Sequence, residues 1–407
     1  MLRLHRMVAF EAEHCGSVDQ ARMNIARRLV EGRYGDGHPK RGQPLFTDIY
    51  RTLKLRELYE AFCSPGIGFD SGDLATALLA EATHISSAFE LIASNIVQHE
   101  FRAASDITSH LIGEQLVRKV EADLPTEPGT GLQALEDGKE FAEGERVPDA
   151  KFKGQRSFQA PEPTYYGLSI SLTQNMVKYD RMNLFLKQVG AVRDNVAIHR
   201  EKRRLKALCD HADNQRYYPY DEQSQGWNKV SLWRTAITAG KWYARHKTSI
   251  TNAIGNEAKL QAVMDNFNER KDEEDHIQST LITQVLFPAA KQTAALKMLG
   301  FTNFQLGGSD SDHSKVSGSL TAAQILNGLP QPIFSKYLDS VSGAAGTWYI
   351  GNIREHLVER VVHDLTVERA PDSHAELFDR NLYGKWKAYY QANIQVEGDD
   401  NLLRCTP

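Results

Sequence analysis

Residues 165–177 read Y-Y-G-L-S-I-S-L-T-Q-N-M-V, and the periodicity changes within them. Tyr166, Leu168, Ile170 and Leu172 alternate with Gly167, Ser169 and Ser171. That is the period-2 pattern of a half-buried strand. Ser171 and Gln174 then fit an S-x-x-Q capping box, in which hydroxyl and amide side chains satisfy orphan N–H groups at a helix start. Beyond it Leu172, Met176, Tyr179, Met182, Leu186, Val189, Val192 and Val196 recur at helical spacing, and the signal runs on through R-E-K-R-R-L-K-A-L-C to Cys209. The spacing predicts one unbroken helix, roughly 55 Å long at 1.5 Å per residue. Ordinary globular helices run about 8–20 residues, so something large must lie along this one.

Working outward, residues 121–163 are rich in Gly, Pro and charge. A disordered linker would have that composition. Phe141, Val147, Phe152 and Phe158 are too many apolar residues for a pure linker, so a projecting β-hairpin is expected. Its descending limb would be the strand at 165–172. On the other side comes an aromatic, turn-rich loop, R-Y-Y-P-Y-D-E-Q-S-Q-G-W, ending at Trp227. Residues 229–270 are expected to be helical. S-T-L-I-T-Q-V-L-F, ending at Phe287, reads as a buried strand. Pro288 is placed as the first residue of a helix that Gly300 terminates. The C-terminal segment is β. In L-Y-G-K-W-K-A-Y-Y-Q-A-N-I-Q-V, Leu382, Trp386, Ala388, Tyr390, Ala392, Ile394 and Val396 share one face, and Tyr383, Lys385, Lys387, Tyr389 and Gln391 the other.

The N-terminal residues 1–40 are amphipathic, with Val18, Ala21, Ile25, Leu29 and Val30 on one helical face. Arg3, Arg6, Arg22, Arg27, Arg28 and Arg33 are scattered as on a solvated helix face. Between residues 44 and 120 Phe46, Ile49, Leu53 and Tyr59 mark one helical stretch, and Ala75 to Val97 another.

The 407 residues are 41% hydrophobic and 25% charged, with a net charge of −4. A protein that coats nucleic acid should be basic overall, so that class is disfavoured. Cys15, Cys63, Cys209 and Cys405 lie far apart with no C-x-x-C, and read as free thiols. The segment M-L-R-L-H-R-M-V-A-F-E lacks an apolar h-region, so no signal peptide is expected. No apolar run is long enough to span a bilayer.

Signs of catalysis are weak. G-G-S-D-S-D-H-S-K at 307–315 places Ser, Asp, His and Lys together, but in a Gly/Ser-rich loop that holds nothing rigid. K-D-E-E-D-H at 271–276 lacks calcium-loop spacing. His84, His99 and His110 have no metal-ligand spacing, and G-D-D at 398–400 carries no weight. No phosphate-loop, dinucleotide or nucleophile-elbow motif occurs. No catalytic, cofactor-binding or metal-binding residue is therefore expected. The basic run H-R-E-K-R-R-L-K at 199–206 is the strongest charge feature, diluted by Asp194, Glu201 and Asp210. It is expected to form a surface of the helix, and nucleic-acid recognition is disfavoured because no reading element with interleaved aromatics accompanies it.

The order of parts resembles the major capsid protein of tailed double-stranded DNA bacteriophages, a fold shared with encapsulin shells. Y-Y-G-L-S-I-S-L-T-Q-N-M-V-K-Y-D resembles the junction of extended loop and spine helix. L-I-T-Q-V-L-F-P-A-A-K-Q-T-A-A-L-K-M-L is similar to the axial-domain strand and helix, and the stretch from Thr347 to Ala388 to the closing peripheral-domain strands. The likeness covers roughly residues 135–405. Residues 1–120 exceed an encapsulin's short arm, which favours the phage protein.

The resemblance implies an α+β fold in five parts: an N-terminal helical arm at 1–130, an extended β-hairpin loop at 131–170, a peripheral-domain spine helix at 171–215, an α/β axial domain at 216–345, and peripheral-domain strands at 346–407. It implies a structural, non-enzymatic subunit. Such subunits form hexamers and pentamers of an icosahedral virion shell, assembled in the host bacterial cytoplasm around double-stranded DNA contacted non-specifically. Portal protein, and scaffold or decoration proteins, would be partners; no cofactor or membrane is implied. Some family members cross-link a loop Lys to a neighbour's Asn. Lys151, Lys153, Asn381 and Asn393 are the residues to consider, and they read as ordinary surface residues. The competing expectations are an encapsulin-like cargo compartment, and an α/β enzyme, which would need a convergent polar pocket that the sequence does not show.

Overall fold

The computed structural model describes residues 4–15, 17–33, 41, 46–62, 87–103, 112–121, 129–132, 155–158, 163–210, 217, 219–221, 225–227, 230–238, 245–255, 257–271, 282–299, 330–369 and 382–407. Helices and strands mix along the chain, so the class is α+β. The chain divides into two compact units, each assembled from separate segments.

The first unit comprises residues 1–110, 165–197 and 364–390. Its helices include α1 (Leu4–Cys15), α2 (Val18–Glu31), α3 (Phe46–Ile49), α4 (Leu55–Phe62) and α5 (Ser87–Ala103). Each buries an apolar stripe: Ala21 and Ile25 on α2, Leu55, Leu58, Tyr59 and Phe62 on α4, and Phe89, Ile92, Ile96 and Val97 on α5. That i, i+3, i+4, i+7 spacing is why these segments are helical. The predicted helix from Ala75 is described only from Ser87 onward; the earlier part, with His84, lies outside the described residues.

The second unit comprises residues 111–164, 198–363 and 391–407. Its helices include α6 (Gly113–Leu116), α9 (Glu257–Asn268), α10 (Gln292–Met298), α11 (Leu338–Val341) and α12 (Ile353–His356). A five-stranded sheet has the order β7-β13-β10-β8-β9, from Ser249–Thr251, Leu402–Thr406, Trp348–Gly351, Gln284–Pro288 and Gln331–Ser335. Its two faces serve different cores. Leu286, Ile333, Tyr349 and Leu402 join a cluster with Leu205, Leu208, Trp233 and Ile394. Val285, Phe287, Trp348, Ile350, Leu403 and Cys405 join another with Leu260, Val263, Phe267 and Met298. A sheet covered on both faces needs continuous apolar strands, which explains the runs Q-V-L-F and W-Y-I.

A four-stranded sheet has the order β1-β11-β12-β4, from Arg118–Glu121, Leu357–Arg369, Leu382–Val396 and Thr164–Thr173, and contributes residues to both units. Gly167 on β4 is required by close approach, since a Cβ there would lie 2.4 Å from the Ala388 carbonyl oxygen. On β12 the predicted alternation holds at its centre, with Trp386, Ala388, Tyr390 and Ala392 buried. Toward its end both faces are buried, Asn393 and Gln395 included.

The structure corrects several expectations about the organising stretch. Ser171 stays in β4, and the helix start is capped by Thr173, whose hydroxyl accepts the Met176 N–H at 3.3 Å. The helix is interrupted. A short α7 (Gln174–Lys178) ends in a turn, and α8 (Met182–Cys209) follows with 28 residues, about 42 Å of helix. At the turn Asp180 has φ 48°, the Asp180 N–H donates to Val177 O and the Arg181 N–H to Met176 O. This pair of bonds is a Schellman end, with Asp where Gly is usual.

Other segments also differ. A pair of strands, β2 (Gly129–Leu132) and β3 (Gln155–Phe158), forms the antiparallel stem, with Gly129 opposite Phe158. The expected descending limb at 165–172 belongs instead to β4 in the four-stranded sheet, because Ile170 and Leu172 are buried there. Phe141, Val147, Phe152, Lys151 and Lys153 lie outside the described residues, as do Cys63, Asn381, Gly300 and the loop 307–315.

Residues 231–238 and 245–248 are not helical. Tertiary bonds override the helical pattern: Thr248 and Ser249 donate backbone N–H groups to Arg234 O, and the Trp233 indole donates to Leu208 O at 2.8 Å. Pro288 closes β8 and precedes a 3₁₀ turn at Ala289–Lys291, so it sits just before the helical residues. The chain from 346 onward is divided between two sheets. β10 and β13 pair with each other beside β8 and β7, while β11 and β12 join β4.

Candidate functional site

The basic run on α8 splits into two halves. Arg200 and Arg204 are turned inward, on the stripe that also carries Val196 and Leu208 at four-residue intervals. Arg200 Nε donates to one oxygen of Glu359 at 2.8 Å, and Arg204 Nε to the other at 3.1 Å. Glu359 is 0% exposed. Burial pushes its pKa up, but Arg204 and Arg200 more than reverse this and hold it below the usual carboxylate range. Glu201, also buried, accepts the Ile112 N–H at 3.2 Å. The expectation that Arg200 to Lys206 form a surface is therefore wrong for both arginines, which tie α8 to Glu359 on β11, and for Glu201, which is buried and accepts the Ile112 N–H. The outward half is His199, Lys202, Arg203 and Lys206.

A second polar cluster gathers around G-D-D. Asp399 pairs with Arg234 and accepts the Tyr217 hydroxyl at 3.2 Å. Arg270 is 2% exposed and donates to the backbone oxygens of Leu402 at 2.9 Å and Lys247 at 3.2 Å, and to that of Asp400. Burial lowers its pKa to about 10, against the pull of Asp399 and Asp400. Sequence reasoning gave this tripeptide no weight. The signal it missed is tertiary: Arg234, Arg270 and Asp399 come from distant segments. The backbone carbonyls of Lys247, Asp400 and Leu402, together with Asn266 Oδ1 at 3.2 Å, hold the Arg270 guanidinium, so the cluster fixes loops.

Nucleophiles are equally unpromising. Burial pushes the Cys209 thiol up to about 12, and raises Cys405 well above the usual thiol value. A buried thiol kept protonated is inert. Among the described residues no group of His, Cys, Asp and Glu is arranged to hold a metal ion, and no helix is long and apolar enough to cross a membrane. His99 packs against the rings of Phe46 and Tyr50, and His110 lies outside the described residues. Asn393 is 2% exposed, which denies it to a cross-linking partner.

What remains at the surface is extended and exposed. Tyr165 and Leu168 on β4 are 64% and 45% exposed. Tyr389 packs beside Tyr165 at 6.0 Å, beneath Lys387 at 4.5 Å. Among the described residues, Tyr165 and Leu168 are thus exposed aromatic and apolar side chains on β4, and Tyr389 is a partly buried one on β12.

Among solved structures, the chain is similar to the capsid of a native GTA particle computed with C5 symmetry, at 11% identity over 74% of this chain and 91% of that one, with a TM-score of 0.40. It is similar to the capsid of Myoviridae phage XM1 at 10% identity over 73% and 91%, TM-score 0.42. The virus-like particle from Pyrococcus furiosus matches at 9% identity over 76% and 96%, TM-score 0.36. No protein-family model matches the chain, and no curated protein matches it.

Proposed function

We propose that this chain is the major capsid subunit of a tailed bacteriophage, forming hexamers and pentamers of an icosahedral shell around double-stranded DNA. The observation that carries the reading is the 28-residue α8, preceded by the uncharged strand β4 and the short α7 and accompanied by the returning strands β11 and β12 of 13 and 15 residues. That order of parts is the one on which the sequence resemblance rests. The buried Arg200, Arg204 and Glu359 support it as well, because they tie the long helix to β11.

In this reading α8 is the spine helix, β2 and β3 are the base of the extended loop, and the five-stranded sheet lies in the axial domain. The boundaries proposed are an arm and loop before β4, a spine at 171–215, and an axial domain that takes in β10 and β13 as well as 216–345. Single contacts between copies need not be strong, since a closed shell multiplies them. Portal, scaffold and decoration proteins are proposed partners, and the virion the proposed location. Sedimentation of the purified chain tests the reading. Large, uniform particles containing nucleic acid support it, particles holding a discrete cargo enzyme and no DNA point to an encapsulin-like compartment, and a permanent monomer contradicts both.

A further inference from the structure

We draw no further inference here: the strongest candidate, the surface patch at the turn between α7 and α8 where the exposed Tyr179 ring lies beside Lys178 and Arg181 and Leu184 is exposed on the first turn of α8, carries nothing because nothing in the structure shows what covers it.

Discussion

Arg200 Nε lies 2.8 Å from a carboxylate oxygen of Glu359, joining the middle of α8 to β11 in a site where Glu359 has no solvent exposure. Taking such charges out of water costs several kcal/mol each, so the cluster holds only while it is complete. Glu359→Ala, which leaves Arg200 and Arg204 buried without their carboxylate, is expected to destabilise the second unit by roughly 3–5 kcal/mol. Replacing all three together by apolar residues of similar volume should cost far less. Urea unfolding of the two variants side by side makes the comparison, and equal losses would show that the charges are not coupled.

Acid should loosen the same cluster. Glu359 has a folded-state pKa below its ordinary value of 4.5. A carboxylate depressed on folding stabilises fully above its unfolded pKa, and that stability is lost as pH falls through the folded value. Unfolding free energy should therefore fall as pH drops from about 4.5 through the lower, folded-state value. The loss should be smaller in Glu359→Gln, which has no carboxyl to protonate there, and identical pH profiles would refute the assignment.

Gly190 lies within α8, and a Cβ built on it meets nothing within 4 Å. Gly190→Ala is expected to stabilise by about 0.5–1 kcal/mol, because Ala loses less backbone entropy in a helix. Thermal unfolding reads this as a raised midpoint. An unchanged or lowered midpoint would mean that the glycine relieves strain at that position.

The opposite result is expected at Gly167. With the Ala388 carbonyl 2.4 Å from the Cβ position, Gly167→Ala must separate β4 from β12. A loss of about 1–3 kcal/mol is expected, in the range of overpacking. Chemical denaturation checks it, and a neutral substitution would show that the strands can part without penalty.

These cases show what periodicity can and cannot reveal. Strand β4 and helix α8 were legible because hydrophobic spacing changes from two to about 3.6 where the chain changes structure. The break at Tyr179–Asp180 was not, since its left-handed residue is Asp rather than the glycine that signals a helix end. Arg200 and Arg204 read as surface charge by composition. Their four-residue spacing from Val196 and Leu208 put them on the buried stripe, a signal that residue type alone concealed. Glu359, 155 residues beyond Arg204, could be joined to it only by the fold. Residues 231–238 and 245–248 were misread because their structure is dictated by partners such as Leu208 O, which local propensity does not register. The absence of a catalytic expectation came from missing motifs, whereas the inertness of Cys209 and Cys405 is a consequence of burial.

The central claim is that many copies of this chain close into a shell. Electron microscopy of the purified protein, over a range of salt and protein concentration, tests it most directly. The account predicts uniform isometric particles with pentameric and hexameric clusters of subunits, each cluster built from repeats of the same long helix. Particles never forming under any condition, with only monomers or dimers in every field, would contradict it.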